Sequence, residues 1–198
     1  MSFRSVLKTK VGCVLAIPIF LMACGGSEPE RRKEVNANLA TINREHATDR
    51  LIARGRAFVA VGDYTRAEEY FASAINQGAD DKKLMPLILD ACIQDGRLRL
   101  AAQYANDHLR KHPSETRIRL VLAMIYVGLS DADLAEKELR RVLEDKPDDS
   151  QAHFALATIL REKSDPVAAD HHYREYLRLE PQGPNAEEAR GHLLQKVP

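Results

Sequence analysis

The chain has 198 residues, 44% hydrophobic and 29% charged, which is enough apolar material for a packed core in one or two domains. Lysine plus arginine equals aspartate plus glutamate at 29 each, so no basic excess points to nucleic acid as a partner. Ten glycines and nine prolines exclude collagen-like and compositionally disordered chains, and 6% aromatics without tryptophan, amid many Ala, Leu, Glu and Arg, favour helix.

Residues 1–23 read as an export signal. Arg4, Lys8 and Lys10, with no acid among them, precede an apolar run from Val11 to Ala23. At about 1.5 Å per residue that run reaches roughly 20 Å, short of the ~30 Å hydrocarbon core, so it suits the h-region of a removed leader. Leu21-Met22-Ala23-Cys24 resembles a bacterial lipobox, with Met22 the less usual occupant. The resemblance implies that Cys24 takes a diacylglycerol, that the chain is cut before it, and that fatty acid such as palmitate caps the new amine. An ordinary signal peptide with an incidental cysteine is the alternative. Residues 24–30, beginning with Gly25-Gly26-Ser27 after the cysteine, suit a flexible tether. One acyl chain anchors marginally and two hold stably. Cleavage leaves a net charge of about −3, so anionic headgroups add nothing to the anchor. By the same resemblance, Gly25 rather than Asp after the cysteine implies an outer-membrane anchor facing the periplasm. Only Cys92 then remains as a free thiol, which excludes an intrachain disulfide. It lies in the mostly apolar stretch Leu87 to Ile93, in which only Asp90 is charged and no His or basic residue stands near to lower its pKa, so a buried, inert cysteine is expected.

Residues 31–47 are expected to form an N-terminal helix, with Val35, Leu39 and Ile42 on one face at i, i+4 and i+7, capping the first of the repeated units after it or supplying half of a degenerate one. From there the chain repeats every 34 residues. Ala67, Ala101, Ala135 and Ala169 form one series; Pro113, Pro147 and Pro181, with Ala79 in the first slot, form a second. Gly62, Gly96, Ser130 and Ser164 form a third, and Asp63, Arg97, Asp131 and Asp165 a fourth. Gly or Ser before Asp reads as a turn and then a helix N-cap, small Ala marks a close helix crossing, and Pro stops the second helix. Asp165-Pro166 adds proline at a first helical position.

These residues make the chain similar to tetratricopeptide repeats, whose period is 34. The first repeat matches through Gly55, Phe58, Gly62, Tyr64, Ala67, Phe71 and Ala74; the third through Ala123, Tyr126, Ala135, Leu139 and Pro147; the fourth through Ala157, Leu160, Ala169, Tyr173 and Pro181. The second is degenerate, with Leu89 and His108 at small positions and Pro86 early in its first helix, which opens that helix late or kinks it. The resemblance implies an all-α solenoid of four helix–turn–helix repeats at 48–81, 82–115, 116–149 and 150–183. Residues 184–198 would form a C-terminal capping helix, with Asn185 to Glu188 as a capping box and Ala189, Leu193 and Val197 as its apolar stripe.

Catalytic signatures are not found in the sequence: it lacks a P-loop, a dinucleotide fingerprint, a nucleophile elbow, a zincin helix and a C-x-x-C pair. His108 and His112, at i and i+4, could meet one ion, yet no third ligand is evident in the sequence. His108 is expected between helices and His112 in solvent. His171 and His172 diverge by about 100° on a helix and cannot chelate from one face. The acidic pairs Glu68-Glu69, Asp148-Asp149 and Glu187-Glu188 read as turn or first-turn residues. The expectation is a protein that is not an enzyme and carries no metal and no cofactor.

In the family the first helix of each repeat lines a concave groove. Carried over by position, the groove residues are Ile52, Arg56 and Val59; Asp90, Ile93 and Gln94; Leu120, Met124 and Val127; and Phe154, Thr158 and Arg161. Several are large and apolar, which suits a buried peptide or helix, although packing among themselves or on the N-terminal helix would also account for them. Met124→Asp and Phe154→Asp are expected to abolish capture without altering the fold. Ile52 and Arg56 stand where chaperone-binding relatives carry Lys and Asn, which disfavours a C-terminal carboxylate as ligand. The resemblance to envelope lipoproteins of this family implies an adaptor for a protein or peptide of the cell envelope, in assembly of a complex such as a type IV pilus and its secretin. A metal- or small-ligand-binding lipoprotein, a recruiter of peptidoglycan enzymes, and a lipoprotein touching peptidoglycan itself are the alternatives.

Overall fold

The computed structural model describes residues 28–194, and among them there are nine helices and no strand. In chain order these are α1 (Glu28–Ala60), α2 (Tyr64–Asn76), α3 (Asp81–Gln94), α4 (Leu98–Lys111), α5 (Thr116–Gly128), α6 (Ala132–Asp145), α7 (Ser150–Glu162), α8 (Pro166–Leu179) and α9 (Ala186–Gly191). The leader, Cys24 and Val197 lie outside the described residues. The chain divides into two units, residues 1–40 and 41–198. Of the first, residues 28–40 are helical, with 29–40 exposed.

Within the second unit each helix from α2 to α9 packs on the next, building a stack of hairpins. The turn inside each hairpin explains the Gly/Ser series. Gly62, Gly96, Ser130 and Ser164 all take the left-handed conformation, with φ of 76°, 70°, 60° and 63°. The residue after each sends its N–H back five residues, as from Asp63 to the Phe58 carbonyl and from Asp165 to that of Leu160. This satisfies carbonyls that the helix end leaves free. The same Asp then caps the following helix: Asp63, Asp131 and Asp165 accept from the N–H groups of Arg66, Leu134 and Ala168. Arg97 breaks the series and makes no side-chain cap. Its guanidinium instead reaches Glu68 (3.1 Å) and Asp95 (2.8 Å), and Glu68 also accepts from the Tyr104 hydroxyl. Glu68 is therefore a buried tie between the first two hairpins, not a first-turn acid.

The alanine series is buried to 2% exposure or less. One further pair of register positions explains how the second repeat folds despite its departures. Gly55 lies against Phe71, so close that a Cβ on Gly55 would stand 2.5 Å from the ring. The equivalent pairs are Leu89 with Ala105, Ala123 with Leu139, and Ala157 with Tyr173, all fully or almost fully buried. A small residue on one position is matched by a larger one on the other, which keeps core volume within what close packing tolerates. Pro86 neither delays nor ends α3, which opens at Asp81 and runs through it. The cost is local: the Lys82 carbonyl has no residue-86 N–H to bind.

Two apolar clusters fill the stack, one from α1 to α5 and one from α5 to α9. Between them lies the ion pair of Arg119 and Glu138 (2.7 Å), buried on both sides, with Arg119 also donating to the Pro113 carbonyl at 2.7 Å. Burial pushes the Cys92 thiol up to about 11 despite the nearby Arg97 charge, consistent with an inert core cysteine.

Both ends differ from expectation. No separate helix occupies 31–47, and no tether extends to residue 30; α1 is continuous from Glu28 to Ala60, because Pro29 sits in its first turn, where a missing N–H costs nothing, and no Gly or Pro follows until Gly55. Val35, Leu39 and Ile42 are each about half exposed. The C-terminal helix has only six residues, and Asn185 makes no side-chain cap. Instead the Asn185 N–H donates to the Tyr176 hydroxyl at 3.0 Å, while Ala189 and Leu193 pack on the second cluster.

Candidate binding cleft

Leu120, Met124 and Val127 recur along α5 at i, i+4 and i+7, and Gln151, Phe154, Thr158 and Glu162 recur along α7 at i, i+3, i+7 and i+11. The two stripes face each other across an open cleft of about 440 Å³. Leu120, Phe154 and Ile159 add to its apolar lining, and Gln151, Thr158, Glu162 and Asn185 supply its polar groups. Met124 and Val127 are 50% and 41% exposed, so apolar surface stands in water that a partner could cover.

Phe154 is held more firmly than a surface anchor. Its ring centroid lies 5.2 Å from that of Tyr176 and 5.9 Å from that of Tyr173, both core residues. Phe154→Asp therefore disturbs the core, and the expectation that it spares the fold is withdrawn. Met124→Asp has no such cost. Thr158 donates its hydroxyl to the Phe154 carbonyl one turn earlier.

Five of the twelve expected groove residues line this cleft. Arg161 does not; its guanidinium donates to the His192 ring at 2.8 Å, tying α7 to the C-terminal segment, and that ring stacks on Tyr173. Ile52 and Val59 are partly buried against the first core cluster, and Arg56, Asp90, Ile93 and Gln94 are exposed on α1 and α3. Of the cleft residues that sequence reasoning missed, Gln151 and Glu162 were open to discovery by extending the Phe154–Thr158 stripe one turn each way, whereas Ala155 and Ile159 lie on the adjacent row of α7. Asn185 was not, since it enters from another element.

The histidines behave differently from expectation. His108 is buried between helices, as its position suggests, but His112 is not simply solvated: its Nε2 bonds Asp81 Oδ2 at 3.0 Å. Burial raises the Asp81 carboxyl, yet the hydrogen bond and charge of His112, with the charges of His108 and Lys111, hold it below its ordinary range. His172, half-buried on α8, meets His153 of α7 with their Nδ1 atoms 2.9 Å apart, while His153 Nε2 lies 2.9 Å from the Pro147 carbonyl. His171 beside it is exposed.

The tetratricopeptide repeat family model matches residues 52–116 and 120–184. No curated protein matches the chain significantly. Among solved structures, a tetratricopeptide repeat protein from Parabacteroides merdae is similar with a TM-score of 0.68 at 19% identity, over 74% of this chain and 59% of that one. This chain thus spans about three fifths of that protein. YrrB, described as a TPR protein with an unusual peptide-binding site, gives 0.63 at 18% identity over 73% of this chain and 75% of its own. MamA from Desulfovibrio magneticus RS-1 gives 0.60 at 17% identity over 80% of this chain and 98% of its own. At these identities the likeness is one of fold.

Proposed function

The chain belongs to the tetratricopeptide repeat family, and we propose that it is a membrane-anchored adaptor that holds an apolar peptide segment of another envelope protein in the α5–α7 cleft. The fold supports protein–protein interaction in general. The carrying observation for the site is that Leu120, Met124, Val127 and Phe154, all partly exposed, line one cleft together with polar side chains. That arrangement suits a segment presenting side chains at helical or extended spacing, with Gln151, Thr158 and Asn185 available to its backbone. A peptide-binding site in the structurally similar YrrB is consistent with this use of the fold.

The lipobox-like Leu21-Met22-Ala23-Cys24 supports the anchor, and Gly25 supports outer-membrane placement facing the periplasm. In that setting the adaptor serves assembly of an envelope complex, of which a type IV pilus with its secretin is the example the family resemblance offers.

A photo-crosslinking residue placed at Val127 in living cells tests the cleft, with one at exposed Val167 on α8 as control. A discrete adduct is expected from position 127 and none from 167. Met124→Asp puts a carboxylate into the apolar surface, an expected penalty of about 2–3 kcal/mol, or roughly 30- to 150-fold in affinity, and should remove the adduct. Its melting temperature should stay within about 2 °C of the parent, because Met124 contributes little burial. An adduct of undiminished yield in Met124→Asp would eliminate the cleft as the binding surface.

A further inference from the structure

We propose that Asp81, His108 and His112 form a binding site for a divalent transition-metal ion of the zinc class, clamping the start of α3 to the end of α4. The three side chains place one potential ligand atom each within 4.8 Å of one another. His108 Nε2 lies 3.2 Å from Glu115 Oε2 and donates to it, which leaves Nδ1 as the ring nitrogen turned to the other side. That Nδ1 is completely buried and lacks a hydrogen-bond partner. It faces Asp81 Oδ2 at 3.9 Å, beyond hydrogen-bond reach, and a carboxylate has no proton to give it. Three potential ligand atoms thus converge on one space, and the buried Nδ1 is the one among them without a protein partner.

The remaining parts suit that reading. Position 108 is the register equivalent of Ala74, Val142 and Tyr176, all buried, so an apolar side chain would fill the place and a histidine there needs a partner. Glu115 is the carboxylate that fixes the ring and raises the basicity of Nδ1, as outer carboxylates do for metal-bound histidines. Lys82, 3.6 Å from its other oxygen, holds Glu115 in turn. Asp81 and His112 are about a quarter exposed, so their side chains can shift from the present separations, 3.0 Å to each other and 3.9 Å from Asp81 to His108, to the roughly 3.3 Å between ligand atoms of a tetrahedral ion. Solvent can complete the coordination. Two imidazoles and one carboxylate favour Zn2+, Co2+, Ni2+ or Cu2+ over Ca2+ or Mg2+, which take oxygen sets. The clamp would lie in the hairpin whose first helix loses a backbone hydrogen bond at Pro86.

Titration calorimetry and thermal melting of the purified full chain with Zn2+ alone test the site. One equivalent is expected to bind, and at a hundredfold excess over the dissociation constant the melting temperature should rise by about 5 °C or more. Both effects should vanish in His112→Gln and in Asp81→Asn. These partly exposed positions leave the core intact, so unchanged helicity in both variants is required. His171→Gln and Met124→Asp should bind as the parent does, and Co2+ should give visible d–d absorption that His112→Gln abolishes. No heat and no shift with the parent would overturn the proposal. So would a Zn2+ shift that survives both ligand substitutions, or an equal shift with Mg2+.

Discussion

Ser164 holds a φ of 63°, where Gly62 and Gly96 occupy the equivalent turns at no steric cost. An L-residue in that conformation costs about 1–2 kcal/mol, while glycine loses about 0.4–1 kcal/mol more chain entropy on folding. The first effect is the larger, so Ser164→Gly is expected to stabilise the chain by about 0.5 kcal/mol, read as a higher urea midpoint at unchanged slope. Gly62→Ala should lower the midpoint by about 1 kcal/mol in equivalent stability, although a Cβ there would meet nothing within 4 Å. A loss in Ser164→Gly would show that serine makes a compensating interaction in its turn. This level was the most readable from sequence. Turn, cap and crossing residues act within one or two helical turns, so their 34-residue spacing carries the geometry directly. Arg97 is the exception, because its partner Glu68 comes from the preceding hairpin.

Helix pairs carry a second layer that spacing does not reveal. His153 on α7 and His172 on α8 share one proton between facing Nδ1 atoms. The Pro147 carbonyl accepts from His153 Nε2, so His172 is the donor of that shared proton. Burial, together with the positive charges of His153, His171 and Arg140 against the weaker pull of Glu175, lowers His172 from 6.5 to about 4. The unfolded chain therefore binds a proton between pH 6.5 and 4 that the folded chain refuses. Stability should be flat above that window and fall as the pH drops through it. The expected loss is about 1–2 kcal/mol, since solvent at the half-exposed ring screens part of the charge. Urea titrations at pH 7 and pH 4.5 should show a steeper fall for the parent than for His172→Gln, whose amide can still donate to His153. Parallel falls would remove this pair as the cause. Element boundaries were legible where a stop signal exists and not elsewhere. Pro113, Pro147 and Pro181 mark the ends of α4, α6 and α8, but nothing between residues 31 and 54 breaks a helix, so dividing α1 at the repeat boundary had no physical basis. At the other end Gly191 closes α9 early, and the Tyr176 hydroxyl takes the place that a capping box was expected to fill.

At the scale of the molecule, half of the cleft was legible, and of the proposed metal site the His108–His112 pair was legible but its third member, Asp81, was not. The cleft lies along two helix faces, so positions on α5 and α7 predicted it. The cluster joins residues 27 and 31 apart through the closing of one hairpin, which no local pattern announces. The proposed membrane attachment rests on a different kind of information, a short signal-like sequence before the described helices, and it is separable from folding by experiment. Among the described residues, none before Leu51 takes part in either core cluster, so the hairpins do not depend on Cys24 for their packing. In a bacterial host the parent chain is expected to incorporate labelled palmitate, to lose residues 1–23, and to sediment with membranes. Cys24→Ser removes the thiol that would carry the diacylglycerol. It should leave the chain unlabelled and uncut before residue 24, with the same helicity and melting temperature once purified. Label retained by Cys24→Ser, or a parent chain without fatty acid, would detach the adaptor from the lipid surface and leave the cleft to act elsewhere.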